Sequence, residues 1–346
     1  RVAELLEAVP GLIAAQHSGS GKANQYFLRG FNLDHGTDFS AAVDDVPLNL
    51  RTHGHGQGYL DINGLIPELV DRIDFRKGPY RADTGDNSLA GASFLSTVPR
   101  IAEPFVAFEV GQYGWLRAVA GGTMDMGPGE LTLAGQWKTY DGPWEKPENL
   151  QHVALYAKYS QPTGFGHVEA SWWSYNAKWD PTEQIPERAI GTSICKDAFC
   201  ALDPTATGMT NRQIATVRLI GDDWHLTLYG QYYDWNMYSN PTYDYQIKQF
   251  DHRWTVGGKF EDQLYSSKPL EIRVGTELRY DDIGRVGFDH TDEGMFVQNR
   301  SNNSAREGSI GVYSERKRAL NAGSRMVRKV KTTSAAVTGL PDRKSV

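Results

Sequence analysis

Between residues 268 and 282 the chain reads KPLEIRVGTELRYDD. Leu270, Ile272, Val274, Thr276, Leu278 and Tyr280 fall on one side of an extended chain, and Glu271, Arg273, Gly275, Glu277, Arg279 and Asp281 on the other. This period-two alternation predicts a β-strand with one apolar and one charged face. HRWTVGGKFED repeats it, with Trp254, Val256 and Phe260 opposite Arg253, Lys259 and Glu261. Less pure versions lie at 104–113, 115–126, 130–140, 151–161, 165–176, 210–221, 224–235 and 307–315, which makes about ten strands in all.

The connections alternate in length. DMGPGE, QPTGFG and GDDW are short, whereas 141–150, 177–208, 236–247 and 284–306 read as long loops. Short turns on one side and long loops on the other are the habit of antiparallel membrane barrels. Trp115, Trp137, Tyr140, Trp144, Trp172, Trp173, Trp179, Trp224, Tyr232, Tyr233 and Trp235 gather near strand ends, as in interfacial girdles. A soluble sandwich or propeller also alternates. Several runs here reach 12 to 15 residues, however, whereas soluble strands cluster near about five or six.

Residues 1–100 have a different texture. VAELLEAVPG carries Val2, Leu5, Leu6 and Val9 at helical spacing and is stopped by Pro10 and Gly11. The loop QHSGSGKAN, a strand-like YFLRGF, the loop NLDHGTDF and a strand SAAVDDVPLNL follow, and then RTHGHGQGY. INGLIPELVDRIDFRKGPY predicts a short helix with Pro67 in its first turn, running into a strand that Gly78 and Pro79 end. The expected division is a globular unit at 1–100, strands at 101–315 and a basic tail at 316–346.

Composition sharpens this. Aromatic residues make up 11% of the 346 residues, including 9 Trp and 17 Tyr, yet mean hydropathy is -0.50. No run approaches the roughly 18 apolar residues of a spanning helix. Residues 316–346 hold nine Lys/Arg against one acid, Asp342, so the formal net charge of -6 leaves about -14 on the rest. That balance argues against a nucleic-acid binder. Cys195 and Cys200 in ICKDAFC predict a small disulfide in an exposed loop and an oxidising compartment. Arg1 is not followed by a signal-like apolar stretch, so either a leader has been removed or the sequence begins inside a longer protein.

The words LLEAVPGL, YFLRGF, VDDVPLN, LIPELVDRIDFRKGPY and ADTGDNSLAGASFLST, in this order and spacing, resemble the plug domain of TonB-dependent outer-membrane receptors. The likeness spans residues 1 to 98, and the strands to about 315 resemble the first part of that family's barrel. It implies an α/β plug followed by an antiparallel transmembrane β-barrel. It also implies a Gram-negative outer-membrane receptor that takes up a scarce nutrient, such as a metal–siderophore complex, with force from the periplasmic protein TonB. The implied partners are TonB, outer-membrane lipid and a small-molecule or metal-complex ligand, with no cofactor of the protein's own. Two departures stand out: Asp45 sits where the family's word usually carries Gly, and AGASFLST replaces the usual paired glycines and Ile-Asn run. The energy-coupling box expected ahead of the plug is not among these residues.

A ligand too large for a porin needs a wide barrel, and a wide barrel needs a plug that docks through wet polar contacts. Arg29, Arg76, Lys77 and Arg81 are the expected plug cations, facing wall acids such as Glu271, Glu277 and Asp281. The resemblance places three plug loops toward the external ligand: QHSGSGKAN with His17, NLDHGTDF with His35, and RTHGHGQGY with His53 and His55. Three readings of these histidines stay open. They are a metal chelate centred on His53 and His55, hydrogen bonding to a polar ligand helped by Arg51, Gln57 and Tyr59, or a tight glycine-built path that the histidines cap.

Ten strands close with a radius near about 10 Å and twenty-two near about 22 Å, while a hundred-residue plug has a radius of gyration of roughly 13 Å. Only the larger ring holds it, so the chain supplies about half of a 22-stranded barrel. RKRALNAGSRMVRKVKTTSAAVTGLPDRKSV shows no alternation and reads as an out-of-frame or truncated end rather than an adapter-binding arm. The alternative function is a passive porin-like channel. Enzyme chemistry is not expected: Asp281 and Asp282 point to opposite faces of a strand, and no nucleophile elbow, P-loop or dinucleotide fingerprint occurs.

Overall fold

The computed structural model describes residues 2–17, 19–240, 244–267, 270–320 and 324–338. The amino-terminal unit begins with a 3-10 helix, Val2–Ala8, that buries Val2, Ala3 and Leu6. Small strands follow: β1 (Leu12–Ala15), β2 (Gln25–Leu28), β3 (Phe31–Asn32), β4 (Phe39–Val43), β5 (Val46–Pro47), β6 (Asn49–Leu50), β7 (Tyr59–Leu60), β8 (Val70–Lys77) and β9 (Gly91–Thr97). They form a β1-β2-β3 sheet, a β5-β4-β9-β8 sheet and a β6-β7 pair. Strand β9 is central, pairing parallel with β4 and antiparallel with β8. The segment after Pro67 is a single 3-10 turn, Pro67–Leu69, feeding β8 directly.

SAAVDDVPLNL is a hairpin rather than one strand. Asp44 and Asp45 take φ of 47° and 68° and turn β4 back onto β5. Paired positive φ is the two-residue turn that matches strand twist and normally selects glycine or asparagine. Here two aspartates accept the strain, and the Asp45 carboxylate gains partners described below.

From Phe105 the chain forms one antiparallel sheet with strands in sequence order. Its strands are β10 (Phe105–Val110), β11 (Leu116–Met126), β12 (Gly129–Tyr140), β13 (Leu150–Thr163), β14 (Gly166–Trp179) and β15 (Thr207–Ile220), then β16 (Trp224–Ser239), β17 (Gln246–Ser267), β18 (Leu270–Asp292), β19 (Met295–Leu320) and β20 (Ser324–Thr338). The sheet inverts the soluble pattern. Trp254, Val256 and Leu278 are about half exposed on its outer face, whereas Arg253, Thr255, Arg279 and Asp281 are buried on its inner face. Apolar residues outward and polar residues inward suit a wall between lipid and a wet lumen.

The inner face packs on the plug. One buried cluster joins Leu6, Tyr26, Leu33, Phe39 and Ile66 of the plug to Val119, Tyr156, Trp173 and Tyr229 of the wall. A second, toward the long loops, joins Ala23, Leu50 and Tyr59 to Tyr175, Trp179, Tyr233 and Trp235. The aromatics expected as a girdle therefore divide. Trp137 and Trp172 face out, while Trp173, Trp179, Tyr233 and Trp235 are buried inward. Adjacent residues on a strand take opposite faces, so Trp172 and Trp173 cannot both meet lipid.

Two expected boundaries move. The long loop placed at 284–306 is instead the two arms of the β18–β19 hairpin, turned at Glu293 and Gly294 with φ of 48° and 80°. Its polar residues had hidden it, because arms standing clear of lipid need no apolar face. The strand expected to stop at 315 runs to Leu320, and β20 pairs with it from Glu307↔Thr338 to Leu320↔Ser324. Residues 316–338 lack alternation, but a ladder needs only backbone N–H and C=O groups. The remainder of the expected tail, 339–346, lies outside the described residues.

Candidate functional site

The plug meets the wall along a polar seam whose charge runs opposite to expectation. Arg117 of β11 bonds Glu68 at 2.7 Å, and Lys259 of β17 bonds Asp45 at 3.0 Å. Arg218 and His225 each approach Asp45 to 3.4 Å. Burial alone would raise the Asp45 carboxyl, but Lys259, His225 and Arg218 together hold it well below the usual carboxylate range. Wall donors also take three successive plug carbonyls: Gln231 bonds Pro47 O at 3.1 Å, Arg212 bonds Leu48 O at 2.9 Å, and Arg279 bonds Asn49 O at 2.9 Å. Asp281 serves the wall, holding the Arg279 guanidinium at 2.8 and 2.9 Å.

Of the four expected plug cations, Arg81 reaches a wall carboxylate, Glu315, at 2.6 Å. Arg76 stays within the plug, 3.8 Å from Asp83. Arg29 and Lys77 are exposed, Arg29 in the β2–β3 turn at φ 50°. Glu271 bonds Arg273 and Lys317 of the wall itself. Glu277 faces the plug at Gly85, where an added Cβ would lie 3.7 Å from its carboxylate. Arg29, Lys77 and Glu271 do not make the expected plug–wall pairs: apart from Arg81 on Glu315, the seam cations named above stand on the wall, and its buried guanidinium groups satisfy plug carbonyls that no side-chain pattern reveals.

The three histidine-bearing loops converge. The rings of His17 and His35 stack at 5.1 Å, His35 and His55 lie 4.8 Å apart, and His53 stacks on Tyr59 at 4.0 Å with Trp235 4.8 Å away. His53 accepts the His55 amide on Nδ1 at 3.1 Å, and its Nε2 meets the Tyr233 hydroxyl at 3.1 Å. His55 Nδ1 meets Gln249 Oε1 at 2.8 Å, and Gln249 donates back to Gly54 O at 2.9 Å. Asp251 accepts the Gly54 amide at 3.1 Å. A Cβ on Gly54 would come within 2.4 Å of Phe250 O, so only glycine lets this loop lie against β17. Arg51 pairs with Asp86 at 2.8 Å, and the exposed Gln57 offers its carbonyl to Thr37.

Burial, then the nearby Lys22, lowers both His17 and His35 to about 4. Burial sends His53 and His55 well below the ordinary imidazole value. All four are neutral at pH 7. The geometry gives the His53–His55 chelate no support: both His53 nitrogens are engaged in hydrogen bonds, and among the described residues no three His, Cys, Asp or Glu side chains are placed to hold a metal ion.

Beside this cluster lies a cavity of about 750 Å³ between plug residues 16–24 and the long-loop ends of the wall. Trp115, Tyr140 and Trp144 give it aromatic surface, and Lys138, Glu148 and Glu183 line it. Glu148 accepts the Ser20 amide, and Gln184 meets His17 Nδ1 at 2.9 Å, so the outer loops are tied to the plug. Cys195 and Cys200 are joined by a disulfide within the 180–206 loop, packed with Ile185, Ala189 and Leu202. That loop fastens to the preceding long loop, between β12 and β13, through Glu145 N–H on Phe199 O at 2.8 Å. None of Trp115, Lys138, Tyr140, Trp144, Glu148 or Glu183 was a sequence candidate. The available signal was the aromatic density near residues 115–144, which was assigned to a lipid girdle.

A globular unit held by polar contacts on the inner face of a sheet whose outer face is apolar defines a plugged outer-membrane-type barrel wall. Residues 1–92 match the TonB-dependent Receptor Plug Domain. The chain is 26% identical over 195 residues to the vitamin B12 transporter BtuB of Vibrio vulnificus (strain CMCP6), covering 51% of this chain and 30% of that protein. It superposes on the copper transporter OprC with TM-score 0.71 and 14% identity, over 97% of this chain and 56% of that one. The ferric yersiniabactin uptake receptor FyuA from Yersinia pestis gives TM-score 0.68 at 14% identity, over 97% and 58%. Residues 1–92 are thus a plug of the TonB-dependent receptor type, the sheet that follows has the fold of part of such a receptor's barrel, and the chain spans just over half of these solved structures. Members of this family are receptors and transporters of the Gram-negative outer membrane, not enzymes, and they carry no enzymatic cofactor.

Proposed function

We propose that the protein to which this chain belongs is an outer-membrane receptor that binds a scarce nutrient at the plug's outer loops and imports it with energy coupled through TonB. A metal–siderophore or comparable metal-bearing complex is the substrate class that fits best. Similar proteins are named for vitamin B12, copper and ferric yersiniabactin, all of them metals or metal complexes. The observation that carries the reading is the seam. Many separate polar contacts hold the plug, each a single hydrogen bond or ion pair worth about 0.5–3 kcal/mol, so they can be released one after another. Such a dock blocks the lumen yet yields to a mechanical pull.

The test is uptake of labelled metal complexes by cells carrying the complete gene, with and without a protonophore. The expected result is accumulation that stops when the protonmotive force is removed. Uptake that persists without energy coupling favours the porin reading and overturns this one.

A further inference from the structure

We propose that Lys138 anchors an anionic group of the imported ligand, while Trp115, Tyr140 and Trp144 pack on a flat apolar body beside it. This deepens the receptor reading and rests on it. Lys138 stands on the inner face of β12, opposite His152 on β13 and Arg117 on β11. It is 9% exposed and lines the 750 Å³ cavity, yet among the described residues no hydrogen bond or ion pair reaches its ammonium.

The acids around it are engaged or out of reach. Arg117 holds Glu68 at 2.7 Å and Glu109 at 2.6 Å. Asp61 bonds the Asn63 amide at 2.8 Å through Oδ1, and its buried Oδ2 has no partner among the described residues, so it does not meet Lys138. The cavity's own carboxylates sit at the loop end. Lys138 lies one two-residue repeat, about 7 Å, inside the Tyr140–Leu150 pair that ends the β12–β13 ladder. Glu148 lies beyond that end and accepts from Ser20, and Glu183 accepts from Ser239 and Asn240.

A charge this far out of water without an acceptor is costly. A ligand anion that enters the cavity would meet an ammonium whose dehydration is already part of the fold. The remaining walls suit a planar body. Trp115 meets Tyr140 edge-on at 5.8 Å, and Trp144 leans on Phe199 at 6.0 Å. The volume falls in the range of small-molecule sites. The ligand class is therefore a planar, partly apolar molecule with at least one acidic group.

The product of the complete gene in mild detergent, with 2-naphthoate and the neutral, equally shaped 2-naphthamide followed by tryptophan quenching, tests this. The parent should bind the acid about tenfold tighter than the amide, as a charge-assisted hydrogen bond implies. Lys138→Gln should abolish that preference, Lys138→Arg should keep it, and Trp144→Phe should weaken both probes, all with an unchanged far-UV spectrum. Equal affinity for acid and amide in the parent, a preference that survives Lys138→Gln, or quenching by neither probe would each overturn it. The two readings fail separately. Energy-coupled uptake that Lys138→Gln leaves unchanged sinks the anchor alone, while a naphthoate preference without energy-coupled uptake sinks the receptor reading.

Discussion

Arg212 is buried in the wall and donates to Leu48 O, Asp61 O and Gln231 Oε1 at 2.9, 3.2 and 2.8 Å. Replacing it with Met removes the donors but leaves two plug carbonyls stranded, so we expect Arg212→Met to cost about 2–4 kcal/mol. Urea unfolding of the plug, followed by hydrogen exchange at residues 46–62, measures the loss. The histidine cluster sets a pH dependence of defined sign. His17 and His35 fall to about 4 in the fold, and His53 and His55 lower still, against roughly 6.5 when unfolded. The unfolded chain therefore takes up protons first, so their contribution is complete above about pH 6.5 and drains away as pH falls toward 4. Asp61, pushed up to about 6 by burial, opposes this as one group against four. The protection of the 51–58 amides, measured as exchange relative to the unstructured chain at the same pH, should fall over that interval, and unchanged protection would contradict the burial of these rings. At this scale it was the resemblance to the plug family, rather than any residue pattern, that brought the three histidine-bearing loops together. The sense of the seam was not legible, since carbonyl acceptors belong to every residue alike.

Among elements, the long strands were readable wherever lipid enforces alternation, as along Leu270–Tyr280. They were unreadable in the arms of the β18–β19 hairpin. Strands of 22 to 26 residues are about twice the 9–11 that a bilayer requires, and the excess carries no apolar stripe. The 3-10 helix at Val2–Ala8 was read from helical spacing because Val2 and Leu5, and Leu6 and Val9, lie three apart, a spacing that both helix types share. The 180–206 loop is short of regular structure, so its order leans on the Cys195–Cys200 bridge. A crosslink over so short a segment contributes roughly 2 kcal/mol in chain-entropy terms. Cys195→Ser should leave the sheet intact but speed cleavage at residues 190–200 by limited proteolysis several-fold. Unchanged cleavage would show that packing by Ile185 and Leu202 suffices.

At the scale of the molecule, fold class and the plug-then-wall order were legible because several ordered motifs agreed with the strand periodicity. The extent of the sheet was not, because β20 lies in sequence without amphipathic pattern. Among the described residues β10 and β20 each pair on one side only, and unpaired edges resist detergent poorly. The 346-residue chain by itself should therefore run at the same position on SDS gels with or without boiling. A heat-dependent shift would mean that the edges close against something.

The wall's hold on Pro47, Leu48 and Asn49 acts through their carbonyl oxygens, so it is indifferent to which side chains those positions carry. Stoppers from distant relatives that follow the same main-chain path, and that keep carboxylates at the places of Asp45 and Glu68, should be interchangeable against this wall. Ligand preference could then be transplanted with the outer loops while the release mechanism stays with the host.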